Sequence, residues 1–309
     1  MDIHFEQMSL EAFRQFFHNE EVCCNWLFGQ KWPNGFSCTK CGHSHAYTIS
    51  TRRLPLYECA SCGYQNSLTA GTVMHNTRTS LFQWIHTMYL VSQQESINAE
   101  RLAEVIGVTY KTAWLIMHKL RDAMSQVEEA QPLTDQVRID SDVYGYQMFK
   151  PTLDRVPHEH PILIGSSHIE EDEDRITQLK LLQLTAPDVV GNRPTRFGIA
   201  DYQERYVEHS ATMVTIVPRY GRLRRVPILR HYAEDSFRWM NRRFHGIGGK
   251  HLQAYLHEYC FRFNTFAHHA SSFNALVQAC IIHRCPTYKD FVARDYRRRY
   301  SNVTGLTAA

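Results

Sequence analysis

No stretch of about eighteen apolar residues occurs in the chain, so nothing in it predicts a membrane-spanning helix. The opening residues, MDIHFEQMSLEAFRQFF, lack what a secretory leader needs: acids come early and no small-residue cleavage site follows. Excess charge is also scarce. Lys and Arg number 34 against 31 Asp and Glu, a net charge of +3, so the total does not argue for a nucleic-acid partner. The apolar share of 43% and charged share of 21% are ordinary for a globular protein, and 309 residues leave room for two or three domains.

What charge there is comes in patches. RYGRLRRVPILR (Arg219 to Arg230) and RDYRRRYSN (from Arg294) are basic, and EEDED (Glu170 to Asp174) offsets them. Such runs are solvated faces or phosphate contacts, and their composition does not choose. Without a leader, the nine cysteines are expected as thiols, which points paired cysteines toward metal or redox chemistry rather than disulfides.

Two pairs stand out: FSCTKCG holds Cys38 and Cys41, and YECASCG holds Cys59 and Cys62. Two thiolates separated by two residues fit one tight turn and aim at one ion. Two such turns complete a tetrahedral zinc shell with no open position, a structural rather than catalytic site. Gly42 and Gly63 follow the second cysteine of each pair and can take the positive φ these turns need. The stretch between, HSHAYTISTRRLPLYE, alternates like short strands. The whole reads as a zinc ribbon. A redox Cys-x-x-Cys belongs at a strand–helix junction, which this segment lacks. Cys23 and Cys24 read as core residues of a helix; His43 and His45 are alternative ligands that four thiolates make unnecessary. Cys280, His283 and Cys285 read as part of a C-terminal helical segment before a second metal site.

Downstream, Leu81, Trp84, Ile85, Met88 and Tyr89 fall at helical spacing. INAERLAEVIG then predicts a short helix from Asn98, with Leu102, Val105 and Ile106 on one face and Gly107 at its end. VTYKTAWLIMHKLRDAM predicts a second, with Thr109 as its N-cap. Helix, glycine turn, helix is either an ordinary helical hairpin or a helix-turn-helix. In the latter, Thr109, Tyr110, Lys111 and Thr112 are placed to meet base edges, and Lys119 and Arg121 face phosphates or solvent.

In this order, KWPNGFSCTKCG, YECASCGYQNSLTAGTVMHNTRTSLFQWIHTMYLV and INAERLAEVIGVTYKTAWLIMHKLRDAM resemble the N-terminal half of bacterial insertion-sequence transposases related to the eukaryotic Merlin elements. The resemblance implies a multi-domain α+β chain: a helix and zinc ribbon over 1–75, a helix-turn-helix over 76–128, an RNase H-like DDE domain with a mixed sheet over 129–265, and a helical basic tail over 266–309. It covers about residues 20 to 128 closely and the rest loosely. VRIDSDVYGYQ is similar to the family's first catalytic strand and places Asp140 in the first acidic position. Ser141, Tyr144, Gly145 and Tyr146 depart from the Glu and Gly-Gly usual there. HPILIGSSHIE and RITQLKLLQLTA follow as the next two strands. FGIADYQERY resembles the second catalytic strand, with Asp201 at its end and Tyr206 matching a Tyr kept after that Asp. RHYAEDSFRWMNRRFHGIGGKHLQAYLHEYCFRFN resembles the last element and puts His231 third, with Glu234 one turn later as its substitute and Arg242 or Arg243 as the basic residue.

The chemistry so implied is DNA strand cleavage and transfer at terminal inverted repeats. Two Mg2+ or Mn2+ ions, held by Asp140, Asp201 and His231, would stabilise the entering and leaving oxygens, and Arg242 the phosphate charge. Multimers follow, since two DNA ends must be held together, and placement at a bacterial nucleoid or a eukaryotic nucleus. One departure weighs the other way. Only TAPDVVGNRPTRFGI links the third strand to Asp201, shorter than the family's connection. The alternatives are therefore a transposase-derived DNA-binding protein without nuclease activity, or a zinc-ribbon module for protein contacts.

Overall fold

A computed structural model describes residues 5–145, 158–169, 172–216, 227–284 and 286–293. Helices α1 (Leu10–Phe16) and α2 (Glu20–Lys31) precede strands β1 (Ala46–Ile49), β2 (Leu56–Cys59) and β3 (Gln65–Ser67). Helices α3 (Leu81–Ser92), α4 (Ala99–Ile106) and α5 (Tyr110–Ala130) follow. Strands β4 (Gln136–Tyr144), β5 (His160–Ile169) and β6 (Asp172–Gln183) come next, then a small hairpin, β7 (Val189–Val190) with β8 (Arg193–Pro194). Helix α6 (Arg196–Tyr206), strand β9 (Met213–Ile216) and helices α7 (Pro227–Phe244), α8 (Leu252–Ala267), α9 (Ser272–Ile282) and α10 (Tyr288–Val292) complete the order. No described helix is long and apolar enough to cross a membrane.

The chain forms two compact units, divided within α5 between Ala123 and Met124. The first takes the residues up to Ala123 and also those of Ser271–Pro286. Within the segment from residue 266, α9 packs with the N-terminal helices, while the described residues 287–293 belong to the second unit. Its anchor is aromatic: the Phe273 ring lies 5.0 Å from Phe5 and 5.5 Å from Phe13. The Glu6 carboxylate accepts from the Phe273 N–H at 2.9 Å and from the Ser271 hydroxyl, and so caps α9. The Glu20 carboxylate does the same for α3, accepting from Leu81 N (3.0 Å) and Phe82 N (3.1 Å). Both place a negative charge at a helix N-terminus from a distant part of the chain, where orphan N–H groups and the helix dipole favour it. Cys23 and Cys24 are buried in α2, as expected of core residues.

The second unit is built on a four-stranded sheet in the order β6-β5-β4-β9. The first three strands form an antiparallel meander, and β9 runs parallel to β4. Alternation along the strands sorts the faces. Val137, Ile139, Leu163 and Leu182 pack with Tyr202 and Tyr206 of α6. Ile162, Ile164, Leu179 and Leu181 pack with Leu229, Ala233 and Met240 of α7 and Leu252 and Leu256 of α8. Close approach on the α6 face explains Gly165: any Cβ there would strike the Tyr202 hydroxyl.

Helix α8 also closes the β6 edge. Asn264 Oδ1 accepts from Leu179 N at 2.7 Å and its Nδ2 donates to Leu179 O at 3.1 Å. Gln253 Oε1 accepts from Gln183 N at 2.6 Å and its Nε2 donates to Leu181 O at 2.9 Å. Two side-chain amides thus stand in for a neighbouring strand and satisfy backbone groups that an open edge would expose.

One expected element is corrected. Residues 197–206 form not a strand but the helix α6. The Thr195 hydroxyl caps it, accepting from Gly198 N at 3.1 Å. Gly198, Tyr202 and Tyr206 are its buried positions, four residues apart, a helical period.

Candidate metal centre and nucleic-acid interface

The ribbon sheet is built from β1, β2 and β3 in antiparallel order. Its two cysteine turns repeat one hydrogen-bond pattern. Gly42 N donates to Cys38 O at 2.8 Å, and Cys38 N donates to His43 O at 3.0 Å. Gly63 N donates to Cys59 O at 3.0 Å, and Cys59 N donates to Tyr64 O at 2.9 Å. Gly42 and Gly63 hold φ of 73° and 66°, the left-handed conformation expected of them.

These turns bring together the four sulfurs, whose atoms all lie within 4.8 Å of one another. Cys38 Sγ is 3.8 Å from Cys62 Sγ, and Cys41 Sγ is 3.6 Å from Cys59 Sγ. A disulfide would need about 2.05 Å. Four sulfurs each about 2.3 Å from a central zinc, at tetrahedral angles, stand about 3.8 Å apart. The spacing fits zinc. Electrostatics agree. Burial raises the Cys38 thiol pKa, but N–H donors from Lys40, Cys41 and Asn66 bring it down to about 6. The Cys62 backbone N–H lowers Cys59. The His43 backbone N–H favours the Cys41 thiolate, yet the neighbouring sulfurs outweigh it and push that thiol up to about 12. Sulfurs this close cannot all ionise without a cation between them.

His43 and His45 stand outside the cluster, exposed, with their rings 5.6 Å apart. Among the described residues no other group of three or more His, Cys, Asp or Glu side chains brings its donor atoms this close. Cys280 is buried in α9, and Cys285 lies outside the described residues.

Helices α4 and α5 form where the sequence predicts. Gly107 ends α4 in the left-handed conformation, and Val108 N donates to Ala103 O at 3.0 Å. Arg14 and Gln83 side chains cap its last turn, donating to Val105 O (2.8 Å) and Ile106 O (3.1 Å). At the start of α5, Thr112 N donates to Thr109 Oγ1 at 3.3 Å. Thr109, Tyr110 and Lys111 are exposed there and Thr112 half-buried. Tyr110 keeps 59% of its surface in solvent. The expected outward roles of Lys119 and Arg121 are corrected. Lys119 Nζ donates to Val73 O at 3.2 Å beside the Trp84 ring, and Arg121 is buried.

The carboxylates behave differently from the cysteines. Asp140 is buried in β4, accepting from Ser141 N at 2.7 Å, with Ile164 as its cross-strand partner. It therefore points to the α7/α8 face. Asp201 does not end a neighbouring strand. It lies on α6, which covers the opposite face, half in solvent, and it pairs with Arg205 at 3.7 Å. His231 and Glu234 occupy the outer side of α7, where Glu234 pairs with Arg230 at 2.7 Å. Arg242 is exposed in the last turn of α7 and Arg243 is half-buried. At the end of β4, Tyr144 donates its hydroxyl hydrogen to Asn241 Oδ1 and accepts from Ile247 N, both at 2.9 Å. It lines a cavity of about 510 Å³ with His158, His160 and Asn241, and no carboxylate is among the described residues that line it. Tyr146, the residues before Pro227 in the first basic patch, Glu170 and Glu171 of the acidic run and the basic tail from Arg294 lie outside the described residues.

Residues 18–65, which span α2 and the ribbon through the start of β3, match the family model of the transposase zinc-ribbon domain. No curated protein and no solved structure matches the chain. The segment that carries the zinc-type sulfur cluster is thus a transposase-type zinc ribbon, and this supports a transposase or DNA-binding role for the chain.

Proposed function

We propose that this is a DNA-binding protein built on the plan of an insertion-sequence transposase, with α4 and α5 as the helix-turn-helix and zinc as the brace of the ribbon. The carrying observation is a transposase-type ribbon whose four sulfurs stand at zinc spacing. Thr109, Tyr110 and Lys111, exposed at the start of α5, are the residues offered to base edges, with Thr112 beside them. The meander with a parallel fourth strand reached through α6 supports descent of the second unit from an RNase H-like domain. Cleavage would require Asp140, Asp201 and His231 or Glu234 to share Mg2+ or Mn2+ and Arg242 to hold the phosphate. Their placement on two sheet faces and an outer helix surface favours binding over cutting. A pair of copies would suit two DNA ends.

The test selects bound duplexes from a random pool and follows affinity by fluorescence anisotropy. Lys111→Ala and Tyr110→Ala should each weaken the selected site by about 1–3 kcal/mol and relax its sequence preference. Loss of equal size on random duplex, or none, sinks the assignment of α5 as reader. The same preparations are assayed for nicking with Mg2+ and Mn2+. Nicking lost in both Asp140→Ala and Asp201→Ala would restore the strand-transfer reading.

A further inference from the structure

Asn66 occupies the middle of β3, opposite Tyr57 of β2, and is 2% exposed. Its partners orient the amide without ambiguity. The Thr39 backbone N–H (3.0 Å) and hydroxyl (2.8 Å) both donate to Oδ1. Carbonyls of Tyr57 (3.3 Å) and Tyr64 (3.1 Å) accept from Nδ2. The nitrogen therefore also faces Cys38 Sγ, 3.6 Å away, as a donor. One buried amide thus touches the first cysteine turn at Thr39 and Cys38, the strand between, and the exit of the second turn at Tyr64.

We infer that Asn66 is a positioning residue of the zinc centre: its N–H on the Cys38 sulfur and its carbonyl on Thr39 hold the first turn in the geometry that four-thiolate coordination needs. The physical reason is charge. Four thiolates around one Zn2+ carry a formal double negative charge, and N–H donors to sulfur spread it. Lys40 N supplies one such donor to Cys38 at 3.4 Å and the Cys41 N–H another, both from within the turn, and Asn66 supplies a third from β3. Partners of this kind, behind the ligands themselves, set ligand orientation and basicity, and losing one costs about 10–100-fold in metal affinity.

The inference rests on the ribbon binding zinc, and the experiment separates the two. Full-length protein is titrated against a chromophoric chelator for Zn2+ affinity, and the Co2+-loaded form is read by its sulfur-to-cobalt absorption bands. Wild-type protein that takes up neither ion refutes the zinc reading itself. Asn66→Asp keeps the acceptor for Thr39 and replaces the donor by a carboxylate oxygen. It should weaken Zn2+ about 10–100-fold and shift the cobalt bands. Gln65→Ala, whose side chain pairs outward with Glu58, should change neither. If Asn66→Asp does not fold, Asn66→Ser, too short to reach the sulfur, carries the same expectation. Wild-type affinity and unshifted bands in every folded Asn66 variant overturn the inference.

Discussion

The four cysteines expected to share one ion meet in the ribbon, whereas Asp140, Asp201 and His231, expected to share another, scatter in the sheet unit, and the contrast shows which constellations a sequence can promise. Each sulfur pair closes over 24 and 18 residues, through turns that glycines and strand register enforce locally. Asp140 and Asp201 depend instead on the face a strand presents and on the type of the next element. A change from strand to helix at residues 196–206 carried Asp201 to the far side of the sheet.

The largest expected effect tests the ribbon half of this contrast. Chelation, or Cys38→Ser with Cys59→Ser, should release zinc and unfold the ribbon, since structural zinc contributes on the order of 10 kcal/mol. Native mass spectrometry and hydrogen exchange check it: β1–β3 amides lose protection and β4–β6 amides keep theirs. Loss in both regions together would erase the contrast.

The sheet unit has its own buried polar centre. Lys180 Nζ lies 2.7 Å from Glu128 Oε2, with both side chains at most 2% exposed, and Asn264 Nδ2 donates to the same oxygen at 2.9 Å. Lys180→Met leaves a buried carboxylate without its cation and should cost about 3–5 kcal/mol in denaturant melts. A cost under about 1 kcal/mol would mean that the pair is dispensable. Lys180→Met with Glu128→Gln should recover part of the loss.

Acid should act on the same unit. Burial holds His257 neutral, down to about 3 from the ordinary 6.5. A histidine lowered in the folded state contributes stability that is present above about 6.5 and is lost as pH falls toward 3. The slope is about 1.4 kcal/mol per pH unit. Melts at pH 7 and pH 5 should therefore differ by about 2 kcal/mol from this group, and His257→Gln should flatten that difference. An unchanged difference in the variant assigns the acid response to other groups.

The smallest effect is expected at Asp201. Its carboxylate is half in solvent and pairs only loosely with Arg205, so Asp201→Ala should move stability by no more than about 0.5 kcal/mol. A thermal melt checks it. A loss of several kcal/mol would bring that residue back into a converging site and break the contrast.

Much was legible in one dimension. Cys-x-x-Cys followed by glycine named the metal ligands, because a turn of four residues places both sulfurs. Gly107 and Thr109 marked the α4–α5 junction, because capping is a local act. The strands of the meander could be read from alternation in HPILIGSSHIE and RITQLKLLQLTA. The helix over FGIADYQERY was readable too: Thr195 as its cap and Tyr202 with Tyr206 at helical spacing were signals that the resemblance outweighed. Asn66 gave no such signal, since a lone buried amide shows its partners only when two turns and a neighbouring strand meet around it. Arg121 likewise looks like a surface charge until its helix has neighbours.

Short-range chemistry in the chain settled the zinc ligands, the caps and the alternating strands, since each involves residues a turn or a strand apart. Folding alone assigned Asp140 and Asp201 to opposite sheet faces, drew α9 back to the N-terminal helices and brought the Asn66 amide to the Cys38 sulfur. Those outcomes depend on which surfaces pack together, and burial of apolar area is a property of the assembled body rather than of any one stretch of residues.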